Sequence, residues 1–260
     1  MGNKKLSIVK IGGNVIENET ALLSFLDNFA QLEGAKILIH GGGKEATKLS
    51  QKLGIATQMV EGRRITDKDT VDIITMVYGG LINKRIVSQL QARNCNALGF
   101  SGADGNTILS EKRPVADIDY GFVGDVKQVN GPFIDVLLQN GITPVFCAIT
   151  HDKKGQLLNT NADTVASEVA IAMSQFYETS LYYCFEKQGV LRSIEDENSV
   201  ITDINSATYE TLLNEKIIAD GMIPKMKNCF HALQHQVHQV CIGNPQMIQK
   251  NNTLFTTLTL

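Results

Sequence analysis

The sequence predicts an α/β sandwich around a mostly parallel sheet. Three observations predict it. Short apolar runs of strand length alternate with amphipathic stretches of helix length. Two of those runs end in glycine, the residue that lets a buried strand turn sharply into a helix. The chain has 260 residues, 43% hydrophobic and 20% charged, which suits one large core or two lobes sharing one.

The elements follow in order. Leu6 to Ile11 is an apolar run closed by Gly12-Gly13, and it reads as a buried strand entering a glycine turn. Thr20 to Leu32 carries Leu22, Leu23, Phe25, Leu26 and Phe29 at helical spacing, and Gly34 stops it. Ala35 to His40 is a second strand. It breaks into Gly41-Gly42-Gly43 and a helix from Lys44 to Leu53. From Asp67 to Ala92 a long helical pattern is apolar on more than one face: Val71, Ile74, Tyr78 and Leu81, but also Ile73, Val77 and Ile82. One face then suits the sheet and another a second copy of the chain, the alternative being a helix buried in its own domain. Gly141 to Cys147 reads as a further buried strand, and Asn161 caps a helix through Val165, Val169 and Met173. Val237 to Ile242 reads as one more short strand. Without repeats or a Pro/Ser-rich linker, any boundary between lobes is soft and is placed near Ser167, giving lobes 1–167 and 168–260.

Composition excludes several functions. With 24 Lys+Arg against 27 Asp+Glu the net charge is −3, so no overall positive field exists to hold a nucleic acid. The five cysteines, Cys95, Cys147, Cys184, Cys229 and Cys241, are scattered and form no Cys-x-x-Cys pair, as expected for reduced, buried thiols in a cytoplasmic protein. No metal site is expected. The N-terminus lacks the apolar region of a signal peptide, and no run approaches a membrane span.

Three turns follow expected strands: Lys10-Ile11-Gly12-Gly13-Asn14, His40-Gly41-Gly42-Gly43, and Asn159-Thr160-Asn161-Ala162-Asp163. At the carboxyl ends of sheet strands, free backbone N–H groups and helix N-termini attract anions, so two glycine turns suggest an extended phosphate site. Gly41 to Ala46 formally fits the dinucleotide fingerprint G-x-G-x-x-A with Glu61 as ribose ligand, but Glu61 lies in a basic glycine-containing stretch and not at a strand end. The segment also fails as a P-loop, because Lys44 is followed by Glu45. His231 and His235 stand one helical turn apart with His238 beyond, yet the alternation around His238 takes it out of the helix and leaves the pair on a solvated face.

Lys10 to Asn14, His40 to Gly43, Gly62-Arg63-Arg64-Ile65-Thr66 before the long helix, Leu158 to Asp163, and Asp220-Gly221-Met222-Ile223-Pro224-Lys225-Met226 together resemble the amino-acid kinase family, in its branch that phosphorylates N-acetylglutamate. The likeness runs in order from Leu6 to about Lys227. It implies an open three-layer α/β/α sandwich whose lobe 1–167 binds the acylglutamate and forms the dimer contact, and whose lobe 168–260 binds MgATP. The implied reaction turns the side-chain carboxylate into an acyl phosphate, a step of arginine biosynthesis, with Mg2+ arriving on the ATP.

By the same resemblance Lys10, Asp163 and Lys225 are catalytic. Gly42, Gly43, Arg64, Asn159 and Asn161 bind the acylglutamate. Gly12, Gly13, Glu186 and Gly189 join the two lysines around the nucleotide. The family usually has Thr/Ser-Asp-Val-x-Gly near the nucleotide; here Phe185-Glu186-Lys187-Gln188-Gly189 stands in its place. That departure keeps a non-catalytic ligand sensor open as an alternative. Separately, Arg63 beside Arg64 leaves N-succinylglutamate open as an alternative substrate, and a dinucleotide-dependent oxidoreductase is a third reading. Arginine-inhibited relatives carry an extra N-terminal helix that joins dimers into hexamers; with the first strand at about Leu6, an arginine-insensitive homodimer is expected.

Overall fold

A computed structural model of the chain describes residues 4–60, 62–193, 195–219, 222–250, 252 and 254–260. The strands among them, in chain order, are β1 (Lys5–Ile11), β2 (Ala35–His40), β3 (Met59–Val60), β4 (Arg63–Arg64), β5 (Ala97–Phe100), β6 (Ile108–Lys112), β7 (Gly124–Val129), β8 (Thr143–Cys147), β9 (Ile149–His151), β10 (Leu157–Asn159), β11 (Glu178–Cys184), β12 (Asp203–Ile204), β13 (Gln239–Gly243) and β14 (Thr256–Leu258). The α-helices are α1 (Gly13–Glu17), α2 (Glu19–Gln31), α3 (Gly43–Lys52), α4 (Lys68–Ile74), α5 (Asn83–Gln91), α6 (Gly131–Gln139), α7 (Ala162–Met173), α8 (Ser206–Asn214) and α9 (Met222–Gln234).

Eight strands form one sheet in the order β12-β14-β13-β11-β1-β2-β8-β5, parallel except where β13 meets β14. Because successive side chains of a strand point to opposite faces, the continuous apolar runs of the central strands bury both. Ile8, Ile39, Phe146, Leu181 and Val240 face α6, α7, α8 and α9 through residues such as Ile134, Val169, Leu212 and Phe230. Val9, Ile11, Leu38 and Val145 face α2, α4 and α5 through Phe25, Leu26, Ile73 and Leu90. The result is the expected three-layer sandwich. Each fully buried aliphatic side chain of β1 contributes about 1.5–3 kcal/mol.

The expected helix ends hold to within a residue or two, and local chemistry explains them. The Asn18 side chain accepts from the Ala21 N–H to cap α2, and Gly34 beyond its end has φ +81°, a left-handed conformation that suits glycine. At the same end Lys36 donates to the carbonyls of Ala30 and Leu32, so its ammonium caps the last turn. The expected strand at Val237 to Ile242 starts at Gln239, with Val237 packed in the core.

The long helix expected over Asp67 to Ala92 needs a correction: α4 and α5 are joined by an eight-residue π-helical stretch, Thr75–Ile82. Wider winding presents residues at a different angular spacing from an α-helix, which is why the apolar positions did not fall on one stripe. Its buried side chains are Val77, Tyr78 and Ile82. Also unexpected are β5, β11 and a smaller four-stranded sheet ordered β10-β9-β6-β7; the bridge Thr66↔Gly121 ties the segment after β4 to the lead-in of β7, and Val123↔Asn159 ties that lead-in to β10.

Candidate active site

Strand β1 lies between β2 and β11, so the chain leaves β1 toward one side and returns on the other; a crevice outside the carboxyl ends of such strands is where open α/β sheets bind ligands. The register aligns Lys10 with Ile39 and Tyr183, and Ile11 with His40 and Cys184. Both glycine turns therefore open at the same edge.

Lys10 points into this crevice and is only 8% exposed. Its Nζ lies 2.6 Å from Asp163 Oδ1, a contact of opposite charges whose alignment is not that of a hydrogen bond. Asp163 sits in the first turn of α7, where a negative charge is favoured by the helix dipole. Tyr183, fully buried, donates from its hydroxyl to the Asp163 carbonyl at 2.9 Å. Lys225 enters from α9, and its Nζ stands 3.7 Å from the centre of the Phe185 ring, with Lys10 Nζ 5.7 Å from the same centre. Burial lowers the Lys225 pKa below the ordinary lysine value, with Lys10 acting the same way and Asp163 and Glu186 in opposition.

The second glycine turn joins this cluster to Arg64. A Cβ on Gly41 would lie 3.6 Å from Ala162 Cβ, so the turn abuts the start of α7. A Cβ on Gly42 would collide with Ile82 Cδ1 and come within 2.8 Å of the Tyr78 ring, both in the π-helical stretch; only glycine fits. Arg64 Nη2 donates to the Gly43 carbonyl and to Thr47 Oγ1, each at 2.8 Å, and Nη1 to Thr57 Oγ1 at 3.3 Å. Three of its five N–H groups are thereby used, and two remain for an anion. Asn159 Nδ2 donates to Thr66 Oγ1, and Thr66 Oγ1 donates to the Arg64 carbonyl. Asn161 Oδ1 accepts from the N–H groups of Asp163 and Thr164, so its NH2 is the group left for a ligand.

His40 ends β2 in full burial. Its Nδ1–H donates to the Gly41 carbonyl at 2.8 Å, while Nε2 accepts from Asn83 Nδ2 at 3.1 Å, an assignment forced by carbonyl and amide partners. Burial lowers its pKa to about 4, so it is neutral at physiological pH.

The structure thus gathers Lys10, Asp163 and Lys225 at one point and Gly42, Gly43 and Arg64 at another, with Gly41 and Ala162 between. Gly12, whose Cβ would lie 3.6 Å from the Cys184 carbonyl, borders the lysine cluster. A Cβ on Gly13 would lie 3.9 Å from Lys44. Glu186 is exposed beside the cluster. Gly189 is packed against β14, where a Cβ would lie 2.6 Å from Thr256 Oγ1. Glu61, Asp220 and Gly221 lie outside the described residues. His231 and His235 sit on the surface, ring centres 4.3 Å apart, with Glu168 3.5 Å from His231. Among the described residues no group of three or more His, Cys, Asp or Glu could hold a metal ion.

Sequence reasoning did not single out Phe185, Tyr183 or Asn83. Each acts through a neighbour that only the fold supplies, and the one usable signal was Phe185 standing where the resemblance led to a small hydroxyl residue.

Residues 5–244 match the amino acid kinase family. The chain belongs to the amino acid kinase family. Within it the chain is 54% identical to an acetylglutamate kinase of Cytophaga hutchinsonii over 98% of both chains, and 50% identical to one of Bacteroides thetaiotaomicron over 95% of this chain and 96% of that one. A solved protein of Streptococcus mutans superposes with a TM-score of 0.79 at 25% identity over 98% of each chain.

Proposed function

We propose that the chain transfers the γ-phosphoryl group of ATP to the side-chain carboxylate of N-acetylglutamate, giving N-acetylglutamyl 5-phosphate and ADP, a step of arginine biosynthesis. The meeting of Lys10 and Lys225 about Asp163 carries the reaction type. Identity above 50% to the Cytophaga hutchinsonii enzyme supports the substrate.

The carboxylate nucleophile, with an ordinary pKa of about 4.3, is already ionised at neutral pH and needs no general base. One of its oxygens attacks Pγ, the bond from Pγ to the β-bridging oxygen breaks, and ADP leaves with that electron pair. The barrier lies in bringing an anion to a polyanion, so stabilisation comes from positive charge and N–H donors aimed at the moving group. Lys10, with the amides of Gly12, Gly13 and Gly42, holds the phosphoryl from the acceptor side; Lys225 holds it from the nucleotide side. Asp163 spaces the two ammonium groups. Arg64 grips a carboxylate of the acceptor, which a guanidinium does bidentately, and Gly43, Asn159 and Asn161 orient the acylamino end. Glu186 flanks the nucleotide, while Gly189, buried against β14, serves by keeping the turn that carries Glu186 close to the sheet. Residues 1–167 then hold the acceptor and residues 168–260 the nucleotide, in a cytoplasmic homodimer.

Magnesium fits as an ion held chiefly by the ATP phosphates, since the described residues offer no carboxylate or imidazole cage for it. When bound, it neutralises phosphate charge. The test is direct: purified protein with MgATP and N-acetylglutamate should yield ADP and a hydroxamate on trapping with hydroxylamine, and ADP formation indifferent to the acceptor would refute the reading. N-succinylglutamate run in parallel reads which acyl group the pocket takes.

A further inference from the structure

We propose that Phe185 is a positioning residue for phosphoryl transfer, its ring face holding the Lys225 ammonium, and more weakly that of Lys10, ready for the phosphate chain. The proposal rests on the function proposed above.

Phe185 is the first residue past β11, and its N–H donates to the Gly243 carbonyl at 2.7 Å, which fixes the backbone from which the ring projects. The ring stacks on buried Tyr183, centres 6.1 Å apart and planes 16° from parallel. Tyr183 in turn is anchored on the Asp163 carbonyl. The ring is thus linked through Tyr183 to the backbone of the first turn of α7, the turn that carries Asp163. Onto the ring face come Lys225 Nζ at 3.7 Å and Lys10 Nζ at 5.7 Å, both inside the range over which an ammonium is attracted to the negative face of an aromatic ring.

The chemistry explains the choice of an aromatic here. Asp163 pairs directly with Lys10 and only attracts Lys225 through space, so Lys225 pays a desolvation cost that its like-charged neighbour increases. A second buried carboxylate would relieve that cost but would repel incoming phosphates. An aliphatic side chain would relieve nothing. A ring face attracts the cation without fixed negative charge, and it engages the ammonium from one side while N–H directions away from the ring remain for phosphate oxygens. This is also a physical account of why this chain tolerates Phe185 where the family resemblance led to Thr or Ser.

The ring can be weakened electronically at nearly constant shape by replacing Phe185 with mono-, di- and trifluorinated phenylalanine. The logarithm of kcat/KM for MgATP should fall steadily with each fluorine, while the KM for N-acetylglutamate stays within about twofold. Phe185→Leu should lower kcat/KM for MgATP about three- to thirtyfold, the range of one desolvated cation–π contact, and Phe185→Trp should restore most of it. A flat response across the fluorinated series, or a Leu variant as active as the parent, overturns the proposal. If the parent protein itself fails to phosphorylate N-acetylglutamate, the functional reading falls first. The ring is then judged by NMR of 13C-methylated lysines. The Lys225 signal should be shifted upfield by the ring in the parent and return toward the common lysine position in Phe185→Leu; an unshifted signal overturns the placement.

Discussion

An ammonium group held out of water beside a second ammonium gives up its proton more readily, and Lys225 is in that position. The sign sets a pH profile: as pH rises the charge is lost earlier than from an exposed lysine, so the alkaline limb of kcat/KM for ATP should lie below 10.5, the ordinary lysine value. Bound phosphates favour the charged form, so the corresponding limb of kcat should move upward; a free-enzyme limb at or above the ordinary value contradicts the burial. Lys10→Ala should reduce kcat about 10²–10³-fold, the cost of removing one preorganised stabilising group, with little change in Tm because few apolar contacts go with it. Arg64→Lys should raise the KM for N-acetylglutamate more than that for ATP, since a point charge cannot replace a fork already bonded to Gly43 and Thr47. Steady-state kinetics read both. Lys10, Asp163, Lys225 and Arg64 could be singled out in the sequence because each sits in one of the ordered motifs that carry the family resemblance, and the fold brings the first three together at one end of the sheet. Phe185 was not, since a phenylalanine in a list of residues carries no sign that two cations will settle on its face.

Among the elements, the glycine turn after β2 is held by a chain running through the molecule: Val145 carbonyl to Asn83, Asn83 to His40, His40 to the Gly41 carbonyl. Carbonyl and following N–H point in opposite directions across a trans peptide, so drawing the Gly41 carbonyl inward turns the Gly42 N–H outward to the crevice. His40 also ties stability to acid. Its folded pKa of about 4 lies below the unfolded value of 6.5, so the stabilisation it gives is full above 6.5 and is lost as pH falls toward 4, about 3 kcal/mol in all. Urea unfolding at pH 7 and pH 4.5 should show a fall in the parent that exceeds the fall in His40→Gln by most of that amount; equal falls would remove His40 from the account. Gly42→Ala should impair activity and stability together, because its methyl would force the buried Ile82 and Tyr78 side chains to shift. Strands β1, β2 and β8 and helices α2, α3 and α7 were legible through periodicity and caps. The π-helical stretch and the small sheet were not: one breaks the 3.6-residue rule, and the other joins short strands by pairings between distant segments.

At the scale of the whole molecule, the sheet divides cleanly at the β1–β11 seam. The strands β5, β8, β2 and β1 all come from residues before 168, and β11, β13, β14 and β12 from residues after it. The chain crosses the seam after α7, within which Ser167 lies, and seven registered pairs from Lys5↔Glu178 to Ile11↔Cys184 close it. Residues 1–167 made alone should therefore expose a long apolar edge and fail to unfold cooperatively, a result that calorimetry would reveal. On the outside, Met76 and Leu81 of the π-helical stretch are 54% and 49% exposed. If a second copy covers them as expected, Leu81→Glu should halve the mass seen by light scattering. The α/β class and the mostly parallel sheet were legible from the order of strands and helices, and the three layers and the meeting of distant motifs only through the family resemblance; which strands adjoin was not, because it depends on crossovers that no local pattern records. The five thiols carry a practical corollary. All are buried, and burial pushes those of Cys147, Cys184, Cys229 and Cys241 well above the ordinary range. The native protein should thus ignore maleimide reagents, and one cysteine introduced on each side of the crevice would accept a dye pair cleanly, so that its width with and without MgATP could be read by fluorescence.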